Sequence, residues 1–165
     1  MRFALTLALL FAVGNMGAQA DPGNGHPQSK PQMTVDPQAT DFGHPGSAKD
    51  VTRVIDLSLR DTMSIVPDRL NLKQGETVRL RIRNIGKLPH EFVFGTHHEI
   101  IEHRDMMRTM PTMQAAEANA VSVAPGGTAE IVWRFSKPGA FLYACLVPGH
   151  WESGMQGTLT VSAAP

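Results

Sequence analysis

Short segments in which apolar and polar residues alternate dominate most of this sequence. Apolar residues occupy every second position of segments 55–59, 78–82 and 129–135. A period of two places the apolar side chains on one face of a β-strand, so each segment is predicted to be a half-buried strand. Further short strands are predicted at residues 91–94, 120–123, 139–145 and 157–162, with glycine- and proline-containing turns between them. Regularly spaced short strands of this kind predict an all-β sandwich.

Two stretches depart from this alternation. Residues 96–110 lack a period of two, contain good helix formers and are followed by Pro111, so we predict a short helical insertion there. Leu70-Asn71-Leu72, which comes shortly after Pro67, is interpreted as part of a loop that links two strands. We therefore expect a sandwich that carries one helix, directly after the strand at 91–94.

The first 20 residues have the features of a secretory signal peptide. Arg2 supplies a positive charge, residues 3–13 are apolar, and Ala18-Gln19-Ala20 has the small residues of a cleavage site. The apolar run is shorter than the roughly 20 residues that a membrane-spanning helix needs. An uncleaved membrane anchor is the alternative interpretation. We expect export to the periplasm, cleavage near Ala20 and no membrane span in the mature form.

Composition divides the rest of the chain into two parts. Residues 21–50 are rich in Pro, Gly, Gln and Ser and have few large apolar side chains, so a flexible N-terminal arm is predicted. Residues 51–165 are predicted to form the folded domain. The chain has 15 Lys and Arg residues against 15 Asp and Glu residues. This balance gives no support to nucleic acid or an anionic membrane as a partner.

Cys145 is the only cysteine of the sequence. A lone thiol survives in an oxidising compartment when it is buried and inert, or when a metal ion holds it as a thiolate. His150 and Met155 follow it within one loop between two predicted strands, and His90 stands at the start of another strand. Taken singly, each of these residues is more often core packing or an ordinary histidine. Together, two imidazoles, a thiolate and a thioether are the ligand set of a blue-copper centre.

The spacing Cys-x4-His-x4-Met, within PGHWESGMQGTLTV, resembles the ligand loop of the cupredoxins, especially that of rusticyanin and auracyanin. The upstream segment NIGKLPHEFV resembles the family segment that carries the first histidine. The resemblance covers roughly residues 51–162. It implies a Greek-key β-sandwich with one type 1 copper ion near one end, held by His90, Cys145, His150 and the axial ligand Met155. Many cupredoxins have an Asn after the first histidine that joins the two ligand loops, whereas this sequence has Glu91.

The residues around Cys145 argue for a solitary copper ion and against a redox enzyme. Two-copper electron-transfer sites need a second cysteine. Multicopper oxidases and copper nitrite reductases have histidines beside the cysteine, where this sequence has Ala144 and Leu146. We therefore predict a copper-binding protein that is not an enzyme.

The predicted insertion is rich in soft metal ligands: His97, His98, His103, Met106, Met107, Met110 and Met113. On a helix, His103 and Met107 are four positions apart, as are Met106 and Met110, so they share faces. These four residues are a candidate second site for Cu(I). The alternative is that adaptable methionines pack the insertion onto the sandwich. His26, Met33 and His44 in the predicted arm are weaker candidates for capturing copper.

Two functions fit one redox-active copper. The methionine-rich insertion, within LPHEFVFGTHHEI and EHRDMMRTMP, resembles that of small periplasmic cupredoxins associated with bacterial copper tolerance, and we favour this function. The alternative is a dedicated electron carrier that docks a periplasmic redox partner on an apolar patch of Leu88, Pro148 and Trp151. A third hypothesis, a cuprous oxidase, joins the two. The expected partners are copper ions and a periplasmic redox or copper-handling protein.

Overall fold

The computed structural model describes residues 40–110 and 117–164. Several predictions lie outside these residues: the signal peptide, most of the arm with His26 and Met33, and Met113 in the insertion. Among the described residues, no helix has both the length and the apolar character that crossing a membrane requires.

The described residues form ten strands and one α-helix. In chain order these are β1 (Gly43–Pro45), β2 (Arg53–Arg60), β3 (Ser64–Val66), β4 (Arg69–Lys73), β5 (Thr77–Asn84), β6 (His90–Gly95), α1 (His97–Thr109), β7 (Ala120–Val123), β8 (Thr128–Phe135), β9 (Gly139–Ala144) and β10 (Gln156–Ser162). The strands make two five-stranded sheets. The first sheet has the order β1-β8-β5-β2-β3, and the second has the order β4-β10-β9-β6-β7. The predicted all-β sandwich is confirmed.

Strand pairing is antiparallel except for two parallel pairs, β2 with β5 and β4 with β10. Parallel neighbours cannot be joined by a tight turn, so the chain leaves each of these pairs and returns to it after other strands. In β5, the apolar residues of the alternating pattern face the core, and Val78, Leu80 and Ile82 are all fully buried.

The core lies between the two sheets and is rich in aromatic side chains. Its largest fully buried members are Trp133, Tyr143, Phe42, Phe92, Phe94 and Phe135. Phe94 packs edge-on against Trp133, with 5.2 Å between the ring centroids. Burial of such large rings supplies the dominant favourable free energy of folding for a sandwich of this size. The same cluster contains Cys145 and Met155, so the predicted copper loop is built on the end of this core.

The helical insertion packs on the outer face of the second sheet. Its first turn is fixed by a capping box, in which Thr96 and Glu99 each bond the other's backbone N–H. Ile100 and Met107 then pack over Val93 and Ala144 in a separate apolar cluster. Strand β6 is therefore buried on both faces, which explains why its sequence is not alternating.

The structure corrects two predictions about the first half of the chain. The boundary at residue 50 between arm and domain is wrong, because Phe42 is a core residue and β1 pairs with β8. His44 of the predicted arm lies in this strand. The segment Leu70-Asn71-Leu72 is not a loop but the centre of β4, and Leu70 and Leu72 face the core. Both segments are short edge strands, so each presents too few alternating residues to be recognised.

Candidate metal centre

Three of the predicted copper ligands bring their donor atoms to one place. His90, Cys145 and His150 form a group whose ligand atoms all lie within 4.8 Å of one another. His90 Nδ1 lies 3.2 Å from His150 Nδ1. Cys145 Sγ lies 3.3 Å from His150 Nδ1 and 3.8 Å from His90 Nδ1. Among the described residues, this is the one His/Cys/Asp/Glu group that has the geometry of a metal site.

The two adjacent strands β6 and β9 explain this convergence. His90 is the first residue of β6, and Cys145 comes directly after β9, which pairs antiparallel with β6. The end of one strand therefore lies beside the start of the other. The backbone N–H of Glu91 donates to Cys145 Sγ at 3.3 Å, so the thiol is held from the neighbouring strand.

The loop after Cys145 is closed by main-chain hydrogen bonds. His150 N donates to Val147 O, and Met155 N donates to His150 O, both at 3.0 Å. Cys145 N donates to Met155 O at the same distance, which brings the two ends of the loop together. Met155 is fully buried in the core cluster that contains Cys145.

Two glycines allow the loop to turn before His150 and Met155. Gly149 has φ of 89° and Gly154 has φ of 93°. These left-handed conformations strain any residue with a Cβ atom. The glycines of the sequence motif therefore shape the backbone immediately before two of the predicted ligands.

Burial shifts the pKa values of two of the predicted ligands, Cys145 and His150, in opposite directions. Burial raises the pKa of the Cys145 thiol to about 11, against the opposing effect of the backbone N–H groups of Glu91 and Val147. A metal ion that binds sulfur must therefore displace a proton. Burial, followed by the charge of His90, lowers the pKa of His150, so its imidazole is neutral and free to bind a metal at neutral pH.

The donor set and its spacing fit copper. From the three distances between the donor atoms, an ion at the centre of their triangle would lie about 2 Å from each, close to the metal–nitrogen and metal–sulfur lengths of roughly 2.0 and 2.3 Å at tetrahedral sites. Two imidazoles and one thiolate in a triangle, with a buried methionine in the same loop, are the ligands of a blue-copper centre.

Comparison with known proteins gives the family. Residues 53–162 match a sequence model of copper binding proteins of the plastocyanin/azurin family. The chain belongs to this cupredoxin family. The resemblance drawn from the ligand loop is confirmed, and so is copper as the cofactor.

Curated relatives of this cupredoxin cover nearly all of its length. It is 42% identical over 157 residues to the copper-resistant cuproprotein CopI of Rubrivivax gelatinosus, covering 95% of this chain and 93% of the relative. It is 32% identical over 158 residues to the CopI protein of Vibrio cholerae serotype O1, covering 92% and 93%. Among solved structures, auracyanin B matches with a TM-score of 0.60 at 21% identity, covering 73% of this chain and 96% of auracyanin B. That match supports the fold alone.

Asn84 and Asp61 support the first ligand loop of this cupredoxin. Fully buried Asn84 donates through Nδ2 to Leu88 O at 2.8 Å and to Val123 O at 2.9 Å. Asp61 Oδ1 lies 3.2 Å from His90 Nε2. The N–H of Lys87, against some opposition from burial, lowers the pKa of Asp61, with smaller contributions from Leu88 and His90. Neither residue was predicted to belong to the site, because Asp61 is 29 positions from His90 and no local spacing connects the two.

Glu91, which stands where many cupredoxins have Asn, points to the insertion. Its carboxylate Oε1 lies 3.3 Å from His103 Nε2, and both side chains are only 3% exposed. His103 Nδ1 lies 3.3 Å from Glu117 Oε2 on the other side of the ring. Among the described residues, Glu91 Oε2 and His103 Nε2 are both buried without a hydrogen-bond partner, so the Glu91–His103 contact is a close ion pair without hydrogen-bond geometry. A carboxylate–imidazole–carboxylate row thus joins β6, α1 and the segment that follows the insertion.

The four residues of the candidate second site lie along one side of α1, at positions i, i+3, i+4 and i+7, but they differ in exposure. His103 and Met107 are buried, and His103 is occupied by the two carboxylates. Met106 is half-buried and Met110 is 47% exposed. His97 and His98 are exposed near the start of the helix. Copper binding by these residues stays a prediction, while Met107 packs in the apolar cluster with Val93 and Ala144, as the alternative interpretation expected.

Proposed function

We propose that His90, Cys145, His150 and Met155 bind the single type 1 copper ion of this cupredoxin. The observation that carries the proposal is the meeting of His90 Nδ1, His150 Nδ1 and Cys145 Sγ around one point. Met155 enters as the axial ligand because it ends the same loop and is fully buried beside Cys145.

Copper in this ligand set is redox-active. Thiolate and thioether favour Cu(I), whereas imidazole accepts both oxidation states. Three of the four ligand residues lie within a loop closed by main-chain hydrogen bonds, so the site changes charge with little rearrangement. The chain itself supplies the donors, excludes water from Cys145 and leaves one edge of His150 toward solvent.

The function of this redox-active copper is copper tolerance in the periplasm. Support comes from the relatives named for copper resistance, which match the chain over more than nine-tenths of its length. The signal-peptide features of residues 1–20 support export, with cleavage near Ala20. Copper is the cargo as well as the cofactor. The protein is not an enzyme in this proposal, because the residues directly before and after Cys145 are Ala144 and Leu146 and not histidines that could reach a second copper cluster.

Electron carriage is the second candidate function, and the exposed apolar residues beside the proposed ligands are compatible with it. Leu88 is 43% exposed, and Pro148 is exposed beside the half-buried His150. Trp151, which was predicted to join this patch, instead packs against the apolar cluster under α1. An apolar edge around the copper ligand would suit a periplasmic redox partner or a protein that exchanges copper.

A second copper site, for Cu(I), would be formed by His103, Met106, Met107 and Met110. All four residues could bind one ion only if His103 left Glu91 and Glu117, because the ring uses both nitrogens for these contacts. Met106 and Met110 are the accessible donors of the group. A second tightly bound Cu(I) would therefore be accompanied by a change at the buried Glu91–His103 contact.

A copper titration of the mature protein, followed by visible absorption and by counting bound Cu(I), tests the proposal. Cys145→Ser should remove the thiolate-to-copper colour while the sandwich stays folded, and a strongly coloured variant would refute the ligand set. Met106→Leu with Met110→Leu should lower the Cu(I) count only if the second site exists. In a copper-sensitive bacterium, the wild-type chain should restore growth on copper and Cys145→Ser should not. Equal rescue by both would leave tolerance unconnected to the type 1 site.

A further inference from the structure

Asp61 contacts the predicted copper ligand His90 on the side away from the other ligands. It lies in the turn between β2 and β3, and its Oδ1 is 3.2 Å from His90 Nε2. The same carboxylate accepts the backbone N–H of Lys87 at 2.7 Å and that of Leu88 at 3.3 Å. One side chain therefore holds both the loop that leads into β6 and the imidazole at its start.

The chemistry of this contact determines which nitrogen of His90 faces the ligand group. An ionised carboxylate can only accept a hydrogen bond, so His90 Nε2 must carry the proton. In a neutral imidazole the other nitrogen, Nδ1, then keeps its lone pair. Nδ1 is the atom that faces His150 Nδ1 and Cys145 Sγ, at 3.2 and 3.8 Å.

The loop is shaped to let the carboxylate approach. A Cβ atom on Gly86 would collide with Asp61 Oδ1, so any larger residue at this position would displace the carboxylate. Gly86 is fixed in turn, because its N–H donates to Asn84 Oδ1 at 2.9 Å. Fully buried Asn84 therefore holds the glycine that makes room for Asp61.

We propose that Asp61 is a positioning residue of the copper centre, which holds His90 with Nδ1 toward the metal and raises the preference of the site for Cu(II) over Cu(I). The proposal rests on the ligand set proposed above. A carboxylate that accepts the outer N–H of a ligating histidine fixes the tautomer and makes the imidazole a stronger donor. The stronger donor stabilises the more highly charged Cu(II) ion more than Cu(I).

Removal of the carboxylate should change the two copper affinities unequally. Loss of such an outer partner typically lowers metal affinity by roughly 10- to 100-fold. For Asp61→Ala we expect a Cu(II) affinity lower by about tenfold and a Cu(I) affinity that changes less. A tenfold change in their ratio equals a rise of about 59 mV in reduction potential for a one-electron couple. Asp61→Asn, whose amide oxygen still accepts a hydrogen bond but carries no charge, should fall between wild type and Asp61→Ala.

The experiment combines two measurements on the mature chain. Nitrogen-15 NMR of the histidine rings in the copper-free protein reports the tautomer of His90. Reduction potential and competitive titration with Cu(II) and Cu(I) report the affinities. Asp56→Ala is the matched control, since Asp56 is an exposed carboxylate of β2 that pairs with Arg81 instead. Gly86→Ala should also break the contact between Asp61 and His90, because its Cβ atom would displace the Asp61 carboxylate without removing it.

In wild type and in Asp56→Ala, we expect Nε2 of His90 to carry the proton. In Asp61→Ala and Gly86→Ala, we expect a mixture of the two His90 tautomers and a reduction potential above that of wild type. A purely structural role would lower both copper affinities in parallel and leave the potential unchanged, and that result would overturn the proposal. An unchanged His90 tautomer in a folded Asp61→Ala protein would overturn it as well, whereas Asp61→Asn keeps an acceptor for the Nε2 proton and should keep the wild-type tautomer. If the wild-type chain bound no coloured copper, the ligand set would be wrong instead, while the tautomer data would still report on the Asp61–His90 bond.

Discussion

Replacing His103 by alanine should destabilise this cupredoxin far more than an average substitution on a helix. The imidazole lies between Glu91 Oε1 and Glu117 Oε2, 3.3 Å from each. Burial alone lowers the pKa of His103, but the Glu91 carboxylate, with Glu117, outweighs burial and raises it. When it is protonated, His103 is therefore the cation that faces Glu91, and its removal takes away this buried partner of Glu91.

The structure sets the size of the expected effect. Removing one partner of a buried ion pair typically costs about 3–5 kcal/mol of unfolding free energy. The Glu117 contact adds at most about 1 kcal/mol, since that side chain is 51% exposed and screened by water. We expect His103→Ala to lower the unfolding free energy by about 3–5 kcal/mol near pH 6. His98→Ala is the matched control, because His98 is 79% exposed and its Glu102 partner is 66% exposed, so its loss should cost less than about 0.5 kcal/mol.

The effect should also depend on pH. Because the pKa of His103 is raised in the folded protein, its contribution is complete below the unfolded value of about 6.5. It is lost as the pH rises through the raised folded value. The facing charged groups are Glu91 on β6 and Glu117 after the insertion. The difference between wild type and His103→Ala should therefore be largest at pH 6 and smaller at pH 9.

Urea unfolding of the copper-free protein between pH 5.5 and 9, followed by circular dichroism, measures these differences. A double-mutant cycle with Glu91→Gln isolates the pair, and the double variant should be less destabilised than the sum of the two single variants. If His103→Ala costs no more unfolding free energy than His98→Ala, or if its cost is the same across the pH range, His103 is not the cation that stabilises this buried cluster.

Three further predictions concern the proposed copper site and the buried residues that stabilise the fold around it. Met155→Gln should retain copper but lower its reduction potential in voltammetry, because a hard amide oxygen replaces the soft thioether that favours Cu(I); an unchanged potential would exclude Met155 as axial ligand. Phe42→Ala should lower the free energy of unfolding in urea by about 3–5 kcal/mol, since the ring of Phe42 is 1% exposed. A decrease below about 1 kcal/mol would contradict the assignment of Phe42 to the core of the domain. Asn84→Ala should cost about 2–3 kcal/mol, because the carbonyls of Leu88 and Val123 lose their donor; a stability equal to wild type would show that water replaces the amide.

Local spacing explains what could be predicted from the sequence. The strands with three or more alternating apolar residues, such as β5 and β8, were recognised because the period of two is a property of neighbouring residues. The helix α1 was recognised from a loss of that period. Cys145, His150 and Met155 lie within 11 positions, so their spacing alone indicated a copper loop.

Tertiary structure decided which distant residues complete these local patterns. Phe42 and β1 belong to the domain because β1 pairs with β8, about 90 positions later, and no local pattern records that pairing. Asp61 reaches His90 across 29 positions, and His103 meets Glu91 only because α1 folds back on β6. Periodicity reports which face of a strand is buried, whereas the partner of a buried polar group depends on how the sheets and the helix pack. The sequence by itself therefore determined the sandwich and the proposed copper ligands, and the packing of the chain determined which residues hold those side chains in place.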